Sequence, residues 1–235
     1  MKIHRFMGKF GLAVGSSTIY DRELFNQIRN VLKLKAGEKI ILGDGGLNEA
    51  LAEITGYGKN SVDVEITKIE QNRNESGRRV VLYCAVLKKE NFETVVQKST
   101  EIGIKEIAPI ISERTVKLDL RTDRLEKIAK EAAEQSGRGK VPILHEPVDF
   151  NKAVGMAKDN SLNLLFDSSG EFFGNCKLEI GNYPLGVWIG PEGGWTSNEI
   201  SFARNGGFTI INLGKLTLRA ETAAIVASAL VLLHN

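Results

Sequence analysis

Along the first seventy positions, apolar residues alternate with polar ones or gather in short clusters. Beyond position 80 they form continuous runs separated by amphipathic stretches. The first pattern predicts strands over Glu38–Leu42, Asn48–Thr55 and Ser61–Ile69, punctuated by GDGG and GYGKN turn signals. Strands of this length at roughly ten-residue spacing suggest a small barrel. A helix over Asp21–Leu34 interrupts them, with Leu24, Phe25, Ile28, Val31 and Leu32 on one face. The polar stretch QNRNESGRR, Gln71 to Arg79, has no apolar periodicity and reads as a linker.

The second pattern alternates strand and helix. Val80–Leu87 is unbroken and apolar, as a strand covered on both faces must be. Amphipathic Phe92–Ile102 follows, then a strand at Glu106–Ile111 and a charged helix at Arg121–Ser136. Later strands fall at Asn163–Phe166, Leu185–Ile189 and Phe208–Leu213, with a helix from Ser197 to about Asn205. This order predicts an α/β domain with a mainly parallel sheet over residues 80–235. The closing segment, Thr222–Leu233, is apolar nearly all round and has no obvious solvent face, so either its own sheet plus a loop or another subunit must cover it, and a homodimer interface is the favoured reading.

Composition narrows the class. The 235 residues carry a formal charge of +2. Residues 1–40 hold eight Lys/Arg against three acids, whereas residues 41–70 hold two against six. A basic N-terminal face is compatible with a phosphate backbone, but on charge alone a solvated surface is the better reading. No apolar stretch reaches the roughly 18–20 residues of a membrane span, and MKIHRFMG lacks the apolar core of a secretory signal. Cys84 and Cys176 read as buried thiols of a cytoplasmic protein.

Familiar catalytic signatures are missing. His4, His145 and His234 are scattered, and there is no HExxH, CxxC, GxSxG, Walker loop or GxGxxG. A metal or a protein nucleophile is therefore not expected; positioning and charge stabilisation are. Two segments stand out: IGPEGGWTSNEI (Ile189–Ile200) and LGKLTLRAETAA (Leu213–Ala224). Each leaves a short strand, bends through glycine and enters a helix, which places a ligand at the carboxyl ends of a sheet. Glu221 near a helix N-terminus is favourable in its own right. Arg219 there is not, and so points to an anionic or polar ligand. In EAAEQSGRGKVP, Glu131, Gln135 and Arg138 fall at helical spacing before a Gly137 or Gly139 stop. They form either a solvated face or a grip on RNA, and the same two readings apply to Gln97, Lys98 and Glu101.

These two segments, with QKSTEIGI (Gln97–Ile104), ISERT (Ile111–Thr115), EAAEQSGR (Glu131–Arg138), IRNVLKLKAGE (Ile28–Glu38) and MKIHRFM, resemble the RsmE family over the whole chain. The resemblance implies an N-terminal PUA-like β-barrel over residues 1–70 that binds RNA, a linker at 71–79, and a SPOUT trefoil-knot α/β methyltransferase domain acting as a homodimer. It implies S-adenosylmethionine as cofactor and uridine N3 of 16S rRNA, or of the small ribosomal subunit, as target. Carried over by motif, Gly190, Pro191, Glu192, Gly193, Gly194, Leu213, Gly214, Leu216, Leu218 and Ala223 line the cofactor pocket, with Phe166 or Asp167 beside it. Arg219 then stabilises charge on the base, while Glu221 orients Arg219 or accepts the proton. Arg5, Arg29, Lys33, Gln97, Lys98, Gln135 and Arg138 are the implied RNA contacts. Where the family often has His at Ile28 or Arg29 and Arg at Lys33, this chain departs from it. Other readings are a SPOUT enzyme for another RNA and a non-catalytic assembly factor.

Overall fold

The computed structural model of the protein describes residues 3–116, 120–176 and 184–233. The chain forms two compact units, Met1–Glu75 with Ala133–Val141, and Ser76–Ala132 with Pro142–Asn235. The first unit is therefore discontinuous in sequence, which a simple cut at 71–79 does not capture.

In the first unit, β1 (His4–Met7), β2 (Gly15–Ile19), β3 (Lys39–Gly43), β4 (Asn48–Tyr57) and β5 (Val62–Gln71) form a sheet in the order β1-β3-β4-β5-β2. Phe6, Ile40, Leu42, Ile54 and Val64 point to one core, packed with Leu24 and Ile28. The expected helix at 21–34 is shorter and wider than an α-helix. Asp21 caps Arg22–Phe25 (α1), and the backbone then continues as a π-helix over Asn26–Val31. Lys33 breaks away at φ 56°.

The 133–141 segment joins this unit through polar side chains. The Met7 N–H donates to Glu134 Oε1 at 2.8 Å, and Asn72 Nδ2 donates to Glu49 Oε1 and the Gly137 carbonyl. Gly137, at φ 80°, lets the chain turn so that the Arg138 N–H closes on the Ala133 carbonyl. Arg138 thus lies beyond the helix that carries Gln135, not on its face.

The second unit is built on a parallel sheet. Among the described residues its order is β12-β10-β11-β6-β7-β8, with β9 also on β7. These strands are β6 (Val80–Ala85), β7 (Glu106–Ile111), β8 (Ile143–Leu144), β9 (Val148–Asp149), β10 (Leu162–Phe172), β11 (Leu185–Ile189) and β12 (Thr209–Asn212). Helices α2 (Lys89–Ile102), α3 (Thr122–Ser136), α4 (Phe150–Met156), α5 (Ser197–Asn205) and α6 (Ala220–Leu233) complete the element order. One core joins Tyr83, Ile110, Leu165, Trp188 and Ile210 to α4 and α5, with the Tyr83 and Trp188 rings stacked 4.0 Å apart. Helices α2 and α6 pack together, and α6 lies on β6 and β11. Both faces being covered explains the unbroken apolar runs.

Two features differ from the sequence reading. Strand β10 does not stop at Phe166: residues 167–170 loop out of its pairing with β12, and the strand resumes to Phe172. A side chain at Gly170 would strike the Ile210–Ile211 backbone at 2.4–2.6 Å, so the loop can fold back only on glycine. Helix α6 buries Ala220, Ala224, Ala227, Ser228 and Val231 on one face and exposes Leu230 and Leu233 on another. Arg78 Nη1 donates to the Val231 carbonyl at 2.9 Å and caps its C-terminal end.

Candidate active site

Because β6, β10, β11 and β12 are parallel, their carboxyl ends share one edge of the sheet. The segments leaving that edge are Val86–Lys88, Asp167–Ser168, Gly190–Trp195 and Leu213–Arg219. They surround a cavity of about 780 Å³, within the size of small-molecule and cofactor sites. Its lining holds Phe166, Asp167, Gly190, Pro191, Glu192, Gly193, Gly194, Leu213, Gly214, Leu216, Leu218, Arg219, Glu221 and Ala223. Every cofactor and catalytic position named from the sequence is thus brought to one site, from stretches up to 57 positions apart (166 to 223).

Glycine geometry explains the shape. At Gly190 a Cβ would sit 3.2 Å from the Trp195 indole, so glycine lets the turn close on that ring without displacing it. Gly194 and Gly214 have φ of 70° and 116°, conformations that side chains disfavour. Thr196 and Glu199 form a reciprocal capping box that starts α5 immediately after the first turn.

The lining balances three cations, Lys88, Lys215 and Arg219, against three carboxylates, Asp167, Glu192 and Glu221. Burial, reinforced by the charges of Glu192 and Glu221, pushes the Cys84 thiol far above its ordinary value. Cys84 lies one residue before the end of β6, and burial is the main reason its thiol stays neutral. Among the described residues, buried Glu221 Oε2 has no hydrogen-bond partner, and neither has the Trp195 Nε1–H. A buried carboxylate oxygen left without a donor is costly unless a ligand answers it. Among the described residues Arg219 and Glu221 form no ion pair, so Glu221 does not orient Arg219 through a salt bridge.

The sequence reading missed several members. Lys88, Asn91, Trp195, Asn212 and Lys215 also line the cavity. Arg114, in the loop after β7, donates from Nη1 to the Gly193 carbonyl at 2.6 Å. Its ISERT motif was visible, but only the fold reveals its reach to position 193.

The implied RNA contacts do not line this cavity. Arg29 and Lys33 are exposed, with the Arg29 guanidinium 4.7 Å from the Tyr57 ring centroid. Gln97 and Gln135 are exposed, and Lys98 pairs with Glu101 at 2.8 Å. Two others are enclosed. Arg5 binds Glu49 through two nitrogens, and Arg138, 4% exposed, grips Glu75 through Nε and Nη2. A guanidinium held this way serves the interior of its unit. Among the described residues no group of His, Cys, Asp and Glu is placed to hold a metal, and no helix is long and apolar enough to cross a membrane.

Known proteins with this arrangement identify it. An RNA methyltransferase domain model matches residues 74–232, and an RNA methyltransferase PUA domain model matches residues 20–67. Ribosomal RNA small subunit methyltransferase E of Synechocystis sp. is 34% identical over 86% of this chain and 68% of its own. A Legionella pneumophila protein solved in complex with bound SAM superposes with a TM-score of 0.90 at 30% identity, covering 98% of this chain and 97% of that one. The ribosomal RNA small subunit methyltransferase E of Neisseria gonorrhoeae bound to S-adenosyl methionine gives 0.86 at 29%, covering 97% and 96%. With a PUA domain, a methyltransferase domain and a glycine-edged cavity at the sheet's carboxyl end, the chain belongs to the ribosomal RNA small subunit methyltransferase E family.

Proposed function

We propose that this protein methylates N3 of a uridine in 16S rRNA, using S-adenosylmethionine. The observation that carries the reading is the glycine-edged cavity, which collects both sequence motifs in a fold shared with SAM-bound relatives. The residues suit that cofactor. Backbone at Gly190–Gly194 and Leu213–Leu218 can be approached closely by adenine and ribose, and the partnerless Glu221 carboxylate answers a sulfonium cation. When bound, S-adenosylmethionine supplies an electrophilic methyl group.

The protein's own residues do the rest. Arg219, exposed at the start of α6, stabilises negative charge growing on the uracil oxygens as N3 passes its proton, directly or through water, to Glu221. The 190–195 and 213–219 turns form a SPOUT trefoil knot. Residues 1–70 act as a PUA-like barrel that holds RNA through Arg29 and Lys33, joined by residues 71–79 to the catalytic domain at 80–235. The exposed Leu216, Leu230 and Leu233 support a homodimer that covers them, working in the cytoplasm. The test pairs calorimetry of S-adenosylmethionine with methylation of unmodified 16S rRNA, free and in small subunits, followed by mapping of the methylated atom. Transfer to a uridine N3 is expected. Cofactor binding with transfer to another RNA, or with no transfer, overturns the reading.

A further inference from the structure

A second recess, of about 490 Å³, adjoins the cofactor cavity and shares the Glu192–Gly193 wall with it. Its remaining lining is Val86, Leu87, Lys88, Arg114 and Val116. Val86 and Leu87 are almost fully buried, and Val116 stands exposed at the rim. We propose that this recess receives the target uracil and that Glu192 accepts the hydrogen bond from its N3–H, a selection that rests on the methyltransferase reading above.

The chemistry of the lining matches one base. Uracil presents acceptor, donor, acceptor along O4, N3–H and O2, so its complement is donor, acceptor, donor. Glu192 is an acceptor only, and it is held in place by the Lys88 N–H, which donates to Oε1 at 3.2 Å. Lys88 and Arg114 flank it with donors. Arg114 Nη1 is engaged with the Gly193 and Trp195 carbonyls, while its Nε and Nη2 have no partner among the described residues. Neither cation carries an ion pair among the described residues, so both can also meet the nucleotide's phosphate. The aliphatic residues offer an apolar surface to the base. Cytosine, whose N3 is an acceptor, would set a lone pair against the Glu192 carboxylate and leave it unpaired, the kind of mismatch that discriminates strongly. Because the wall is common to both chambers, a base seated here lies next to whatever the cofactor cavity holds.

The experiment uses the full chain, tritiated S-adenosylmethionine and unmodified 16S rRNA or small subunits. Val116→Trp fills the recess from its rim without touching the cofactor cavity. It should lower kcat/KM for RNA by about 100-fold, on the scale set by losing a positioned base, while calorimetric affinity for S-adenosylmethionine stays at the wild-type value. Glu192→Gln should lower kcat by about 100-fold, and Glu192→Asp should recover part of it. Wild-type kcat/KM in Val116→Trp, or wild-type kcat in Glu192→Gln, overturns the proposal. Failure of the unsubstituted protein to methylate uridine, with its cofactor bound, instead removes the functional reading beneath it.

Discussion

Arg114 Nη1 donates to the Gly193 carbonyl at 2.6 Å and thereby fastens the loop after β7 to the turn after β11. A second tie runs parallel to it, from the Glu113 N–H to Glu199 Oε1 at 3.0 Å. Glu199 therefore has two duties, capping α5 and holding the 113 loop. A charge-assisted bond of this kind contributes roughly 1.5–3 kcal/mol. Arg114→Ala should weaken S-adenosylmethionine binding by at least about tenfold, with faster amide exchange at Gly193, Gly194 and Trp195. Unchanged exchange there would mean the turn holds its shape alone.

The two glycines of that turn should fail differently. Ala at Gly190 would bring a methyl to 3.2 Å from the Trp195 indole, which is 4% exposed and packed 5.0 Å from the Phe150 ring. The indole, which borders the cavity, must shift to make room, so overpacking of about 1–3 kcal/mol and altered tryptophan fluorescence are expected. At Gly194 nothing lies within 4 Å of a new methyl, but φ is 70°. Gly194→Ala should cost about 1–2 kcal/mol of backbone strain and leave fluorescence unchanged. Thermal melts with emission spectra separate the two mechanisms.

Arg138 yields a prediction that opposes its sequence reading. Its side chain is 5% exposed and that of Glu75 is 13% exposed, so the pair is removed from water. Arg138→Ala would leave Glu75 charged and enclosed and should destabilise the protein by about 3–5 kcal/mol. Burial alone would raise the Glu75 carboxyl, but the hydrogen bond and charge of Arg138, with the Lys140 and Gly139 N–H groups, outweigh it and hold the carboxyl below the ordinary range. A depressed folded pKa stabilises the fold above the unfolded value of about 4.3. That contribution is lost as pH falls through the lower folded value. Glu75→Gln should flatten the acid limb of the stability curve, and an unchanged limb would place the titrating group elsewhere.

These particulars show what could be read from the chain. The parallel strands were legible because burial on both faces writes an apolar run, as in Val80–Ala85. Strand β2, GSSTI, was not, since its polar edge residues pair only with β5 across more than forty positions. The break in β10 at 167–170 needed knowledge of where β12 lies. At the site, GPEGG and LRAET announced themselves through glycine and charge next to helix starts. Arg114 and Arg138 did not, because their partners, Gly193 and Glu75, are distant in sequence, and a guanidinium reads the same whether it faces RNA or a carbonyl.

The cysteines give a chemical test of burial near the end of β6. Cys84 is fully buried beneath acidic neighbours, whereas Cys176 is partly accessible and is raised chiefly by burial, with a contribution from Glu171. A maleimide should label one thiol per chain in the native protein, Cys176, and both after denaturation. Mass spectrometry of the native adduct reads the outcome directly. Labelling at Cys84 would show that the carboxyl end of β6 opens to solvent.

Glu221 should distinguish the cofactor from its product by charge. The methyl donor carries a sulfonium; S-adenosylhomocysteine, left after transfer, carries a neutral thioether and is otherwise the same shape. If the partnerless Oε2 answers the positive sulfur, its removal must weaken the first ligand more than the second. Unit charges a few Å apart gain at least about 1 kcal/mol even in high dielectric, and more in an enclosed site. Glu221→Gln is therefore expected to weaken S-adenosylmethionine by about tenfold relative to S-adenosylhomocysteine. Calorimetry of both ligands on both proteins measures the ratio. Equal losses would place Glu221 against the adenosine or the amino-acid end, and would move the answer to the sulfonium elsewhere in the cavity.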